Sequence, residues 1–97
     1  MYVLSLRHRV RDYDAWKRVW DERQGARLSG KVTGHRLARS ISDPNVVSVT
    51  MEFGTQEDAK AYRDYMEQQE TREALARAGV EEHAPIWIGY EIDVASY

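Results

Sequence analysis

Two histidines and a set of large aromatic side chains are the residues best equipped for chemistry in this chain. His8 falls in phase with Leu4 and Leu6 on an alternating segment, so its imidazole points with the apolar side chains. There it could act as a general base or acid near neutral pH, or equally sit as a neutral histidine bonded inside a core. His35, in phase with Thr33 and Leu37 and next to Gly34, lies on a second alternating segment. Turned to the same side, it would frame one pocket with His8. Trp16 and Trp20, then Tyr62 and Tyr65, recur at helical spacing, which turns them toward a common interior. Flat rings suit a planar apolar ligand, and phenol hydroxyls can bond its oxygens. Plain core packing is the other use of Trp16 and Trp20, whereas Tyr62 and Tyr65 suit a pocket better because a buried phenol requires a partner. His8, His35 and Tyr65 are the expected catalytic residues. Trp16, Trp20 and Tyr62, with Met51 and Phe53 on the strand beneath, are the expected substrate contacts.

Other chemistries lack their parts. The sequence has no cysteine, which removes disulfides, Cys-ligated zinc, iron–sulfur clusters and a thiol nucleophile. It has no GxGxxG, no P-loop and no GxSxG, so nucleotide cofactors and serine nucleophiles lack their usual supports. His8 and His35 make only two metal ligands where a catalytic zinc wants three, and His83 is far along the chain in a loop, so no metal site is expected. Arg23, Arg27 and Arg36 could meet an acidic ligand, but charged residues are 31% of the chain and most of them only solvate a surface. With 14 Lys+Arg against 16 Asp+Glu there is no broad basic field for nucleic acid. The N-terminus shows no apolar run fit for a signal peptide or a membrane span, and a cytoplasmic location is expected.

The elements that must hold these residues follow from period and punctuation. Residues 2–10 alternate and read as a strand. Asp12 stands as the N-cap of a helix running to about Arg23. Gly25 and Gly30 bracket a basic stretch, Ala26-Arg27-Leu28-Ser29, that reads as a mobile loop or lid. Residues 32–40 form a second strand, Ser42-Asp43-Pro44-Asn45 close a hairpin, and 46–53 form a third strand. Thr55 caps a second helix with Asp58 at the capping-box position. Thr71 either caps a short further helix or lies in a continuation, Gly79 ends it as a C′ residue with Val80 as its contact, and 86–94 alternate as a fourth strand.

At 97 residues the chain makes one domain, 1–97. The order strand, helix, strand, strand, helix, strand is the split βαβ pattern of an α+β ferredoxin-like fold with an antiparallel sheet. Leu4, Leu6, His8, Val47, Val49, Met51, Phe53, Ile86, Ile88, Tyr90 and Ile92 should face the helices. The other face, with Val3, Ser5, Arg7, Val46, Ser48, Thr50, Glu52, Trp87 and Gly89, mixes small, β-branched and aromatic residues. It suits packing against a second sheet in a homodimer, with Arg7 and Glu52 pairing across the interface; the other reading is a monomer whose mixed face is simply wet.

The opening His8-Arg9-Val10-Arg11-Asp12-Tyr13-Asp14-Ala15-Trp16-Lys17, the hairpin Arg39-Ser40-Ile41-Ser42-Asp43-Pro44-Asn45-Val46-Val47 and the close Ala78-Gly79-Val80 resemble the dimeric α/β-barrel superfamily, nearest the antibiotic-biosynthesis-monooxygenase-like proteins often labelled cyclases. The resemblance spans nearly the whole chain, and its motifs are structural. It implies a homodimer with a ligand pocket between each sheet and its helices, and oxidation, cyclisation or isomerisation of small aromatic molecules. Heme-degrading relatives hold iron with a helix-borne histidine, absent from both helices here, so heme is not expected.

The leading expectation is a cofactor-free monooxygenase- or cyclase-like enzyme of secondary or aromatic metabolism. It would act on a planar phenolic or polyketide-like molecule, with His8 or His35 taking a proton and Tyr62 or Tyr65 stabilising the oxyanion. The resulting carbanion would pass an electron to dioxygen or attack an internal carbonyl. The alternative is a non-catalytic homodimeric module that binds a small effector.

Overall fold

In the computed structural model, which describes residues 1–82 and 84–97, the first alternating segment is strand β1 (Tyr2–Arg9). Asp12 caps helix α1 (Tyr13–Glu22), its Oδ1 accepting the backbone N–H of Asp14 at 3.1 Å. The basic stretch expected to be a loop is instead a short helix, α2 (Gln24–Ser29), which follows α1 after a break at Arg23. Strands β2 (Val32–Arg39) and β3 (Val46–Phe53) form the hairpin. In its turn the Ser40 hydroxyl accepts the N–H groups of Ser42 and Asp43 at 3.2 Å each. The Asn45 N–H donates to Asp43 and, with the Arg9 guanidinium at 2.7 Å, holds that carboxyl below the usual carboxylate range.

Thr55 caps α3 (Gln56–Glu67) through the Asp58 N–H at 3.1 Å. Gln68 is extended and separates α3 from α4 (Gln69–Arg77). Thr71 is therefore not a cap but a buried residue one turn inside α4. The break at Gln68 re-aims the chain so that Thr71 and Leu75 turn inward. Gly79, at φ 101°, closes α4: its N–H donates to the Ala76 carbonyl and that of Val80 to Leu75, both at 3.0 Å. This is the paired bonding that a left-handed C′ glycine allows.

The four strands lie in the order β2-β3-β1-β4, all neighbours antiparallel, with β4 (Trp87–Tyr90) on one edge. Leu4, Leu6, Val47, Val49, Met51 and Phe53 form the inner face of the sheet and pack with Trp16, Ala59, Tyr62 and Met66 from the helices. Each of the buried Leu, Val, Met and Phe side chains among them contributes roughly 1.5–3 kcal/mol by leaving water. The result is an α+β ferredoxin-like domain.

Two expectations are corrected here. The fourth strand stops at Tyr90 because its partner runs out: Tyr90 pairs with Tyr2 at the start of β1, and only the Met1 carbonyl remains for Glu91. Ile92, placed on the inner face by its phase, is 92% exposed, and Tyr90 is also exposed, its ring against Tyr2. On the open face Glu52 takes Arg36 of its own chain at 3.2 Å.

Gly30 ends α2 at an ordinary φ of −80°, so its lack of a side chain answers a different need. A Cβ there would stand 2.6 Å from Cε2 of Tyr62 and 3.2 Å from the Ala26 carbonyl oxygen. Gly30 is the residue that lets α2 approach the Tyr62 ring. Gly30→Ala should cost about 1–3 kcal/mol by overpacking, read as a lower denaturant midpoint with an unchanged m-value.

Candidate functional site

The helices place their aromatic side chains in one row above the sheet. His8 on β1 meets the edge of Trp16 at 5.6 Å between ring centres, Trp16 stacks on Trp20 at 5.6 Å, and the edge of His35 on β2 meets Trp20 at 5.2 Å. The two histidines thus stand at opposite ends of a four-ring row rather than around one pocket. His8 is buried behind Trp16. His35 is exposed at the sheet edge but on the helix side, opposite Met51. A register shift between Val32 and Gly34 breaks the simple alternation that would put Thr33 in phase with it.

A cavity of about 50 Å³ lies between sheet and helices, lined by Trp16, Trp20, Met51, Tyr62 and Tyr65 together with Arg23 and Arg27. Five of the eight expected site residues therefore come together. Phe53 does not line the cavity: it is fully buried beneath Tyr62, ring centres 5.7 Å apart. Neither His8 nor His35 is in the lining. Two larger recesses share its walls. A cleft of about 460 Å³ between α2 and α3 is bounded by Tyr62 and Tyr65, and a groove of about 470 Å³ along β2 is bounded by Trp20, Arg27 and His35.

The charged groups of the cavity come from one helical stripe that sequence reasoning did not join into a single face. Trp16, Trp20, Arg23 and Arg27 are spaced by four, three and four residues, the spacing of a single face carried through α1 and α2. Gly25 and the basic composition hid that continuity. Arg23 donates to the Tyr65 hydroxyl at 2.7 Å. Arg27 donates to the Trp20 carbonyl at 2.7 Å, and its guanidinium lies 3.9 Å from the centre of the Trp20 ring. Arg27 is only 7% exposed. Burial pulls its pKa below the ordinary guanidinium value, against the opposing pull of Tyr62 and Asp21, though it stays charged in the working pH range.

Burial also pushes the Tyr62 phenol up, with nearby Tyr65 adding to the effect and Arg27 and Arg23 opposing it. A raised folded-state pKa gives stability that is whole below the unfolded value near 10 and is lost as pH rises toward the folded one. The wild-type denaturant midpoint should therefore fall more steeply above about pH 10 than that of Tyr62→Phe. Parallel curves would refute it.

His83, the third histidine of the sequence, lies outside the described residues. Among the described residues no group of three His, Asp or Glu side chains could hold a metal ion, and no helix is long and apolar enough to cross a membrane.

No protein-family model matches the sequence, and no curated protein is similar to it. Solved structures are similar in fold. SnoaB, a cofactor-independent oxygenase from Streptomyces nogalater, superposes with a TM-score of 0.71 at 13% identity, covering 96% of this chain and 94% of that one. A candidate antibiotic biosynthesis monooxygenase from Bordetella bronchiseptica gives 0.70 at 13% identity over 94% and 96%. A dimeric ferredoxin-like protein from an uncultured marine organism gives 0.64 at 10% identity over 97% of both. In fold the chain is similar to these α+β ferredoxin-like structures, among them proteins named as antibiotic biosynthesis monooxygenases, the group that the capping and hairpin motifs of the sequence resemble.

Proposed function

We propose that this chain is a small cofactor-independent enzyme, monooxygenase- or cyclase-like, acting on a planar phenolic or polyketide-like molecule. The observation that carries the reading is the Tyr65 hydroxyl, held by Arg23 at 2.7 Å on the wall that a small aromatic-lined cavity shares with the ring-sized α2–α3 cleft. With the Arg23 N–H on its oxygen, the Tyr65 proton is left to donate to a ligand oxygen on which charge develops. Since both histidines stand outside the lining, the chemistry rests on the acidity of the substrate ring. The ring proton leaves to solvent through the α2–α3 cleft, and Tyr65 and Arg23 take up the charge on oxygen. In the oxygenase version, a ring CH₂ becomes C=O as one dioxygen is consumed and its second oxygen leaves as water. In the cyclase version, the same carbanion attacks an internal carbonyl. The similarity in fold to SnoaB, itself a cofactor-independent oxygenase, supports the oxygenase version.

The test is dioxygen uptake by the wild-type protein on a hydroxyanthrone, with the quinone product quantified. Uptake matched one to one by quinone and accelerated over buffer supports an oxygenase. The position of both histidines outside the lining favours a second reading, a module that binds a flat molecule and leaves it unchanged. Saturable binding without turnover of the anthrone or of a cyclisable polyketide mimic would establish that reading instead.

A homodimer and a cytoplasmic location belong to the same proposal. Trp87 is 61% exposed on the open sheet face, where Val46 and Thr50 also lie half-buried. A dimeric protein shares the fold. Sedimentation should give a particle of twice the 11.3 kDa chain mass, and Trp87→Glu should convert it to the monomer. A wild-type monomer at tens of micromolar would end the proposal of a dimer.

A further inference from the structure

Arg27 poses a problem of charge that the fold alone does not answer. A guanidinium has five N–H donors, and the bond to the Trp20 carbonyl accounts for one. The ion pairs among the described residues use Arg9, Lys17, Arg36 and Arg63; neither Arg27 nor Arg23 has a carboxylate partner. Asp21, which pulls on Arg27 from a distance, is paired with Lys17. Two arginines, one of them buried, therefore line one apolar cavity with no ion pair among the described residues, although a buried charge is normally paired. The Trp20 face offsets part of that cost and leaves the fork open.

The dimensions bound what could meet the guanidinium. A cavity of about 50 Å³ compares with the ~30 Å³ that one water occupies in the liquid. It admits a head group of carboxylate size and no ring. The neighbouring cleft of about 460 Å³ falls within the roughly 300–1,000 Å³ of small-molecule sites. Tyr62 and Tyr65 form a wall of both spaces. The cleft itself carries Lys31 and Asp58, one charge of each sign, so the preference for an anion arises at the arginines.

We propose that the ligand is a flat aromatic carboxylate, its carboxylate seated on Arg27 in the cavity and its ring in the α2–α3 cleft against Tyr62 and Tyr65. This rests on the pocket of the proposed function and adds the substrate class. Arg27 is the residue that sets specificity: a planar fork accepts a carboxylate through two parallel bonds, which a neutral amide cannot reproduce.

The experiment is calorimetric titration of the whole chain with 2-naphthoate and with 2-naphthamide, which share one ring system and differ in charge. Wild type should bind naphthoate at least tenfold more tightly. Arg27→Met, which keeps an apolar stem beside Trp20, should lose that preference and leave naphthamide within about twofold. Arg27→Lys, which keeps the charge without the fork, should retain only part of it. Equal affinities in wild type overturn the proposal without any variant, so a poorly folded mutant does not rescue it. A preference that survives in Arg27→Met overturns the assignment to Arg27. Naphthamide binding without a preference for naphthoate sinks the carboxylate and leaves the pocket standing; no binding of either compound removes the pocket and this proposal together.

Discussion

Trp16→Ala should destabilise the chain by about 3–5 kcal/mol, the range for removing a large aromatic from a core. Trp16 is among the core residues, packed between the edge of His8 and the face of Trp20 and within 6.0 Å of Tyr13 between ring centres. Removing it leaves a void between β1 and α1 that those rings cannot readily close, since Trp20 is held by His35 and Arg27 and Tyr13 by Arg39. A domain of this size has roughly 5–15 kcal/mol in total, so the melting temperature should fall by some 15–30 °C. Trp20→Ala, at a half-buried position, should lose less stability, while releasing the guanidinium of Arg27 from its ring. A loss below about 1 kcal/mol for Trp16→Ala would mean that the row of rings is a wall around empty space rather than the scaffold that holds α1 on the sheet.

The contrast between these two tryptophans marks how far the sequence could be read. Strand phase placed Leu4, Leu6, Val47, Val49, Met51 and Phe53 on the helix face, and all are buried. Caps at Asp12 and Thr55 and the C′ glycine at 79 are local devices whose chemistry depends on neighbours within a few residues, and each acts where expected. What escaped depends on distant partners. The length of β4 is set by where β1 begins, 85 residues earlier than Trp87. The cavity that Arg27 lines is shared with Tyr62 and Tyr65 of α3, and Gly30 permits the approach of Tyr62 to α2. His8 and His35 both lie on the helix side, yet a row of two indoles separates them, because alternation gives the face of a side chain and not its neighbour across that face. Five of the eight expected site residues converge because two helical stripes and one strand phase meet over the same patch of sheet. The arginines completing that patch needed α1 and α2 to be read as one continuous face.

Tyr65→Phe should lower turnover of a phenolic ring by about 10²–10³-fold, the loss measured when one donor to a developing oxyanion is removed. The substitution keeps the ring that stacks near Tyr62, 5.5 Å between centres, so KM should change little and the effect should fall on kcat. It also frees Arg23 from its bond to the hydroxyl, at a cost to stability of about 0.5–1.5 kcal/mol, too small to unfold the protein. Arg23→Met leaves the hydroxyl in place but unheld, and should cost about tenfold, a loss of orientation rather than of the donor. Because Arg23 acts through Tyr65, the double variant should be no slower than Tyr65→Phe alone; independent roles would instead multiply the two losses. Turnover within threefold of wild type in Tyr65→Phe would take the hydroxyl out of the chemistry and leave the pair a structural tie between α1 and α3.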